Sequence, residues 1–449
     1  MTDVSLLPLP PKSDALSGQA ALVTGATSGL GWRFARVLAN EGATVVVAGR
    51  REERLAEIVQ VIEADGGTAD AVRLDMTVTD LKSPSGGSEA FSTIASEPWP
   101  EALDPRLDPV LDRAFAEPGP TPRRNTRAVV VIHGGTLVAE RYAEGFDAAM
   151  SLPGWSMTKS WTHAWIGRAV QLGHIDPDLR LDPSPWPAQD PRHAIDLDVL
   201  LRMSSGLAFE EDYGDLQSTA LRMLFIERNM GVYAAAQPLE HDVDSRWYYS
   251  SGTTNLVSWH LREVLGAGAY WTFPHDTLFA PLGMASARVE PDAAGVYVGS
   301  SYGWATARDW ARFGQLYLQD GVWAEERLLP EGWAAHAADA TDGSRGIYGG
   351  HFWLNAPREV GDPSSRRWPE LPADLYFASG YDGQYVVIVP SRDAVIVRLG
   401  LSQDRSAWDL EAFLADVLGV LPAEAVSSTG DRGVDPATDQ SPSVTTIGE

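Results

Sequence analysis

Short apolar runs and helix-period stretches alternate along the first part of the chain. AALVTG is a run of the length and character of a buried strand, and LGWRFARVLANEG spaces its apolar residues by three and four before Gly42 closes it as a helix. ATVVVAG, REERLAEIVQVIEADGG and TADAVRLDM repeat the alternation, so residues 18–80 predict strand, helix, strand, helix, strand around a parallel sheet. LKSPSGGSEAFSTIASEPWP is rich in Ser, Gly and Pro and predicts a linker over 81–100. A larger unit follows over 101–422. It opens with RAVVVIHGGTLVAERY, two apolar strands turning at Gly134-Gly135. It closes with a second hairpin, QYVVIVPSRDAVIVRLG, and the helix AWDLEAFLADVLGVL. Between the hairpins lie helical patterns and Pro-rich loops, which predicts an antiparallel sheet carrying a helical insertion. An N-terminal extension, 1–17, and a polar tail without period, 423–449, flank these units; the tail reads as disordered.

Composition narrows the classes. At 449 residues the chain suits two or three domains, and 44% hydrophobic residues suffice for real cores. No apolar run approaches the ~20 residues of a membrane span. The start, MTDVSLLPLPPKSD, lacks a basic segment followed by an apolar one, so a secretory leader is not expected and a cytoplasmic location is. With no cysteine, disulfides, thiolate zinc sites and a cysteine nucleophile are excluded. The net charge of −26 repels phosphate backbones and disfavours nucleic acid as a partner. Nine histidines are scattered without ligand spacing, so no metal site is expected. Oligomeric state is left open.

TGATSGLG, Thr24 to Gly31, lies directly between the first strand and the first helix. Glycines there allow close approach of a pyrophosphate, and the helix N-terminus supplies positive potential. The stretch resembles the start of short-chain dehydrogenases/reductases. That resemblance implies NADP contacts from Thr24, Gly25, Gly29 and Gly31, a 2′-phosphate partner at Arg50 and an adenine contact at Asp75. It ends near residue 80, and no Tyr-x-x-x-Lys pair follows: Trp155 stands four before Lys159, and Val78 four before Lys82. Two readings stay open, a relic that folds without binding and a weak NADP site. The strands that would complete the sheet are missing, which leaves an exposed edge.

Lysine is scarce. Against many arginines the chain keeps only Lys12, Lys82 and Lys159, the last three residues after Ser156 in PGWSMTKSWTHAW. At a helix start that spacing puts both side chains on one face. A serine hydroxyl needs a base to become a nucleophile. A buried lysine can be that base; an arginine cannot, because its guanidinium does not deprotonate in proteins. Other candidates are weak: there is no Gly-x-Ser-x-Gly elbow, and the acidic EEDYGD stretch, Glu210 to Asp215, is either a receptor for a substrate amine or a solvated loop.

WYYSSGTTNLVSW and FASGYDGQYVVIVP follow Ser-x-x-Lys in order. The three motifs together resemble serine β-lactamases, penicillin-binding proteins and their esterase and amidase relatives, and within them the 6-aminohexanoate-oligomer hydrolases. The resemblance covers about 120–420 and implies an antiparallel sheet flanked by helices. It implies Ser156 as nucleophile, Lys159 as its base and Tyr249 as proton shuttle, with Tyr248 the weaker choice. Tyr381, Gly380, Gln384 and Ser251 are implied as oxyanion or substrate contacts. Ser251 departs from the family's Tyr-x-Asn, and Ala378-Ser379-Gly380 departs from its Lys-Thr-Gly, the lysine of which pairs with an antibiotic's carboxylate. The expected activity is cofactor-free hydrolysis of small esters or amides through an acyl-enzyme. The alternatives are an NADP-linked oxidoreductase resting on the first unit, and a penicilloyl-binding sensor without turnover.

Overall fold

The computed structural model describes residues 9–27, 29–49, 51–73, 97–215, 218–359 and 361–422. The chain divides into two compact units, Met1–Ala90 and Phe91–Glu449. The expected tail and most of the expected linker lie outside the described residues.

The first unit is built as the alternating pattern predicts. Strands β1 (Ala20–Thr24), β2 (Thr44–Gly49) and β3 (Thr68–Arg73) form a parallel sheet with β2 in the middle, connected by α1 (Gly29–Asn40) and α2 (Glu52–Ala64). Val23, Val45 and Val47 bury one face against Trp32, Ala35 and Ala39 of α1 and Leu55, Ile58 and Ile62 of α2. Among the described residues no further strand joins, so β1 and β3 are both edges; Leu22 stays 64% exposed. The extension is not free of this unit. Its described end is tied down by Lys12 Nζ donating to the Gly66 carbonyl at 2.9 Å and the Leu16 N–H donating to the Glu41 carbonyl at 2.7 Å.

The second unit has a six-stranded antiparallel core. In chain order its main elements are α3 (Asp108–Phe115), β4 (Thr126–His133), β5 (Thr136–Tyr142), α4 (Thr158–Gln171), α5 (Ser251–Leu265), α6 (Ala307–Leu318), β6 (Trp353–Leu354), β7 (Tyr376–Gly380), β8 (Gln384–Val389), β9 (Ala394–Gly400) and α7 (Leu410–Val420). The sheet order is β6-β7-β8-β9-β4-β5, so the two hairpins read from the sequence meet at β9 and β4. Gly134 and Gly135 both have positive φ, 57° and 70°, the backbone that a two-residue hairpin turn of matching twist requires.

Period-two alternation sends the strands' side chains to two cores. Val129, Val131, Val387, Val389 and Ile396 pack with Leu111 of α3 and Phe413, Leu414 and Val417 of α7. Val130, Ile132, Val386, Ile388, Val395 and Val397 join the larger core with α4 and α6, where Trp161 stacks on Trp310 at 4.1 Å. Gly314 lets α6 lie close to the sheet, since a Cβ there would collide with Val395 and Val386.

The boundary expected near residue 100 is corrected. Trp99 is 6% exposed within the larger core, with the Arg312 guanidinium 5.3 Å from its ring centre. The Leu137 N–H donates to the Pro100 carbonyl at 2.8 Å, and Arg312 also donates to the Glu97 carbonyl. Residues 97–100 are therefore part of the second unit; a short polar stretch hid one tryptophan that a core had claimed.

Candidate active site

Helix α4 runs through the middle of the second unit, and every residue from Thr158 to Ala169 is buried. A single 3₁₀ turn, Trp155–Met157, precedes it and carries Ser156 at its N-terminal end. Trp155 is held at φ 49°, a left-handed conformation that costs a bulky residue free energy and is retained only where surroundings enforce it. The enforcement is visible. The Gly154 N–H donates to the Gly303 carbonyl at 2.8 Å, and Thr158 Oγ1 donates to the Trp155 carbonyl at 2.7 Å while accepting from the Gly303 N–H at 2.9 Å.

One turn along, Lys159 is 1% exposed. Its Nζ donates three hydrogen bonds: to Ser156 Oγ at 3.2 Å, Ser251 Oγ at 2.9 Å and the Ser300 carbonyl at 3.0 Å. Burial pushes its pKa down to about 8, against the pull of the Glu211 carboxylate. The side chain also lies 4.8 Å from the centre of the Tyr249 ring. Burial, then the charge of Glu211, raises the Tyr249 hydroxyl far above its ordinary value, opposed by a hydrogen bond with Ser156, so the phenol is protonated at neutral pH. Its neighbour Tyr248 lies on the surface, 42% exposed. His351, buried and facing the positive Lys159, is pushed down to about 3 and is neutral. The arrangement is a hydroxyl beside an amine that can lose its proton near neutral pH, with a protonated phenol on the same oxygen.

The third motif closes the site from the sheet. β6 pairs with β7 only at Tyr376 and Phe377, so Ala378, Ser379 and Gly380 continue past it with an open edge. There β7 packs against the Ser156 turn. Gly380 is needed for that approach, because a Cβ would collide with the Gly154 carbonyl oxygen. A cleft of about 940 Å³ opens here, lined among others by Ser156, Glu211, Tyr213, Tyr249, Ser379 and Tyr381. The Tyr381 ring packs edge-on to Trp155 at 6.0 Å and against Tyr213 at 5.8 Å.

Two of the expected contact residues do different work. Gln384 is buried, and its amide is spent on backbone: it donates to the Tyr381 and Gly400 carbonyls at 2.9 and 2.7 Å and accepts from the Gly400 N–H at 2.9 Å. It fixes the β7–β8 turn and does not line the cleft. Ser251 is fully buried as the first residue of α5, where it accepts from Lys159 and donates onward. The onward acceptor is the residue that the sequence missed. Glu211 takes hydrogen bonds from the Ser251 hydroxyl at 2.5 Å, the Ser251 N–H at 2.8 Å and the Tyr213 hydroxyl at 2.5 Å. It is neither a bare receptor for an amine nor a solvated acid. Nothing in the local pattern could separate Glu211 from Glu210 or Asp212; only the packing of the loop on α5 does so.

In the first unit, Gly25 and Gly29 have positive φ, 66° and 56°, and a Cβ on Gly31 would collide with the Gly25 carbonyl. Thr24 ends β1 directly ahead of this turn. Gly25, Gly29 and Gly31 are thus required for backbone conformation or close packing. Among the described residues, Arg51 donates to Thr27 Oγ1 at 2.8 Å and Arg54 to the Thr27 carbonyl at 3.3 Å. Arg50 and Asp75 lie outside the described residues. Among the described residues no cluster of His, Cys, Asp or Glu could hold a metal ion, and no helix is long and apolar enough to cross a membrane.

A serine and a buried lysine one turn apart at the head of a central helix, with a tyrosine across and a sheet edge beside them, define the class of serine-reactive proteins built on the β-lactamase and penicillin-binding-protein fold. The sequence profile of the Beta-lactamase family matches residues 111–415, and the chain belongs to that family, which is one of serine hydrolases. The profile of the short chain dehydrogenases matches residues 19–84. Two solved structures share the fold of the second unit. A Bacillus anthracis protein, provisionally named a 6-aminohexanoate-dimer hydrolase, has a TM-score of 0.57 and 20% identity, over 73% of this chain and 89% of its own. A penicillin-binding protein homologue from Caulobacter crescentus has a TM-score of 0.52 and 18% identity, over 70% of this chain and 98% of its own. The first unit is 48% identical over 62 residues to the A-factor type gamma-butyrolactone 1′-reductase (1S-forming) of Streptomyces virginiae, across 14% of this chain and 24% of that protein. The chain spans about a quarter of the length of the curated relatives it matches.

Proposed function

We propose that the second unit hydrolyses small esters or amides through an acyl-enzyme on Ser156. Neutral Lys159 takes the Ser156 proton as Oγ bonds to the substrate's carbonyl carbon and the carbonyl electron pair moves onto oxygen. The backbone N–H groups of Ser156 and Tyr381 meet the resulting oxyanion. Collapse breaks the bond to the leaving group, which takes a proton from the Tyr249 hydroxyl; Tyr249 is reprotonated from Lys159. Water then attacks the acyl-enzyme by the same route in reverse and frees Ser156. The observation that carries this reading is Lys159 itself: fully buried, 3.2 Å from Ser156 Oγ, with its pKa lowered to about 8 by burial.

Ala378, where β-lactamases hold a lysine, supports esters over penicillins as substrates. The first unit keeps a glycine turn without the dehydrogenase dyad, which supports a weak NADP site and no NADP-linked oxidation. The test is p-nitrophenyl ester hydrolysis by wild type and Ser156→Ala, with fluorophosphonate labelling. Steady turnover, loss of several orders of magnitude in the variant and a label on Ser156 are expected. A stoichiometric burst without turnover would instead indicate an acylating sensor, a label on Ser204, Ser205 or Ser250 would move the nucleophile, and efficient nitrocefin hydrolysis would overturn the ester preference.

A further inference from the structure

We propose that Glu211, acting through Ser251, sets the proton state of Lys159 and so the pH range in which Ser156 can be activated. This rests on the reading of Ser156 and Lys159 above. Glu211 belongs to the loop between the short helices Leu197–Leu201 and Thr219–Phe225. Its carboxylate sits at the N-terminus of α5, a 15-residue helix, where the exposed N–H groups and the helix dipole favour an anion. The Ser251 N–H occupies one carboxylate oxygen at 2.8 Å, and the Ser251 and Tyr213 hydroxyls share the other at 2.5 Å.

This geometry has a direction. A serine hydroxyl has one hydrogen, and at Ser251 it goes to Glu211. The oxygen's lone pairs are thereby presented to Lys159, which donates to it at 2.9 Å. The chain Lys159–Ser251–Glu211 thus favours an ammonium on Lys159 twice, by a fixed acceptor and by a nearby negative charge. The other groups facing Lys159 do not substitute for it. Ser156 and the Ser300 carbonyl are uncharged, Tyr249 is a protonated phenol, and His351 is neutral. Among the described residues Glu211 is the one anion acting on Lys159, and it opposes the effect of burial. Glu211 is therefore a positioning residue. It keeps the resting lysine oriented and from losing its proton too readily, while burial keeps the proton labile enough to leave.

The sign follows. Activity requires neutral Lys159, so the acid limb of kcat/KM marks its deprotonation. Removing the charge in Glu211→Gln weakens the hold on the ammonium and moves that limb to lower pH, by about half a unit or more. Glu211→Asp keeps the charge and returns the limb toward the wild-type position. In a Ser251→Ala background, Glu211→Gln moves the limb less, because the acceptor route through the hydroxyl is gone and only the direct charge remains. The experiment is pH-rate profiles for the intact protein and these four variants on one p-nitrophenyl ester, with circular dichroism to establish folding. A loss of rate at every pH with an unmoved limb would mean that Glu211 only braces the loop, and the proposal fails. A shift of equal size with and without Ser251 would refute the route through Ser251. Should Glu211→Gln not fold, Glu211→Asp against Ser251→Ala decides: limbs at the same pH overturn the proposal. Loss of activity in Ser156→Ala alongside an unmoved limb in Glu211→Gln isolates this failure from a failure of the hydrolase reading.

Discussion

The pH dependence of hydrolysis by the wild-type protein tests the site most directly. Lys159 titrates at about 8 rather than near its ordinary 10.5, because its ammonium is removed from water, an effect that the charge of Glu211 offsets only in part. With that midpoint, about 1% of the lysine is neutral at pH 6, about 9% at pH 7 and about 90% at pH 9. Tyr249 adds no second limb in this range, since burial and Glu211 hold its proton far above neutral pH. kcat/KM for p-nitrophenyl acetate should therefore climb roughly tenfold from pH 7 to pH 9, with an apparent midpoint near 8. Product is best followed at the wavelength where nitrophenol and nitrophenolate absorb equally, so that the readout does not titrate. Lys159→Arg is the matched perturbation. Arginine keeps the charge but cannot deprotonate, so the rate should fall about a thousandfold or more and the limb should vanish. A flat profile between pH 6 and 9, a midpoint near 10.5, or an arginine variant that retains both rate and limb would each show that Lys159 is not the base.

Two further outcomes follow from packing. Gly380→Ala places a methyl group against the Gly154 carbonyl oxygen and should push β7 away from the Ser156 turn. Ester turnover should drop at least a hundredfold while the fold loses only about 1–3 kcal/mol, read by kinetics beside thermal unfolding; unchanged turnover would show that β7 does not shape the site. Removing residues 1–90 should leave esterase activity intact, whereas removal through Pro100 also takes Trp99 from the core and should cost about 3–5 kcal/mol, as Trp99→Ala would in the full chain; equal stability of the two shortened proteins would place Trp99 outside the core.

Much of the architecture follows from local pattern. The alternating apolar runs of residues 20–73 and the two hairpins around Gly134-Gly135 and around residues 390–393 are visible in the sequence, because period and turn chemistry are properties of neighbouring residues. So is the pairing of Ser156 with the single lysine of the second unit, since both lie within one helical turn. The spacing alone could not tell a buried lysine from a surface one; the all-round burial of α4 did that. What the sequence could not reach depends on residues brought together across the fold. Gln384 looked available to a substrate until its amide closed on the Tyr381 and Gly400 backbone. Ser251 and Glu211, 40 positions apart, are joined only because the loop carrying Glu211 packs against the first turn of α5. A carboxylate in an acidic stretch has no periodicity to mark it. Its role is fixed by which hydroxyl and which helix end tertiary packing places within hydrogen-bond reach, and that is decided by the folded chain as a whole.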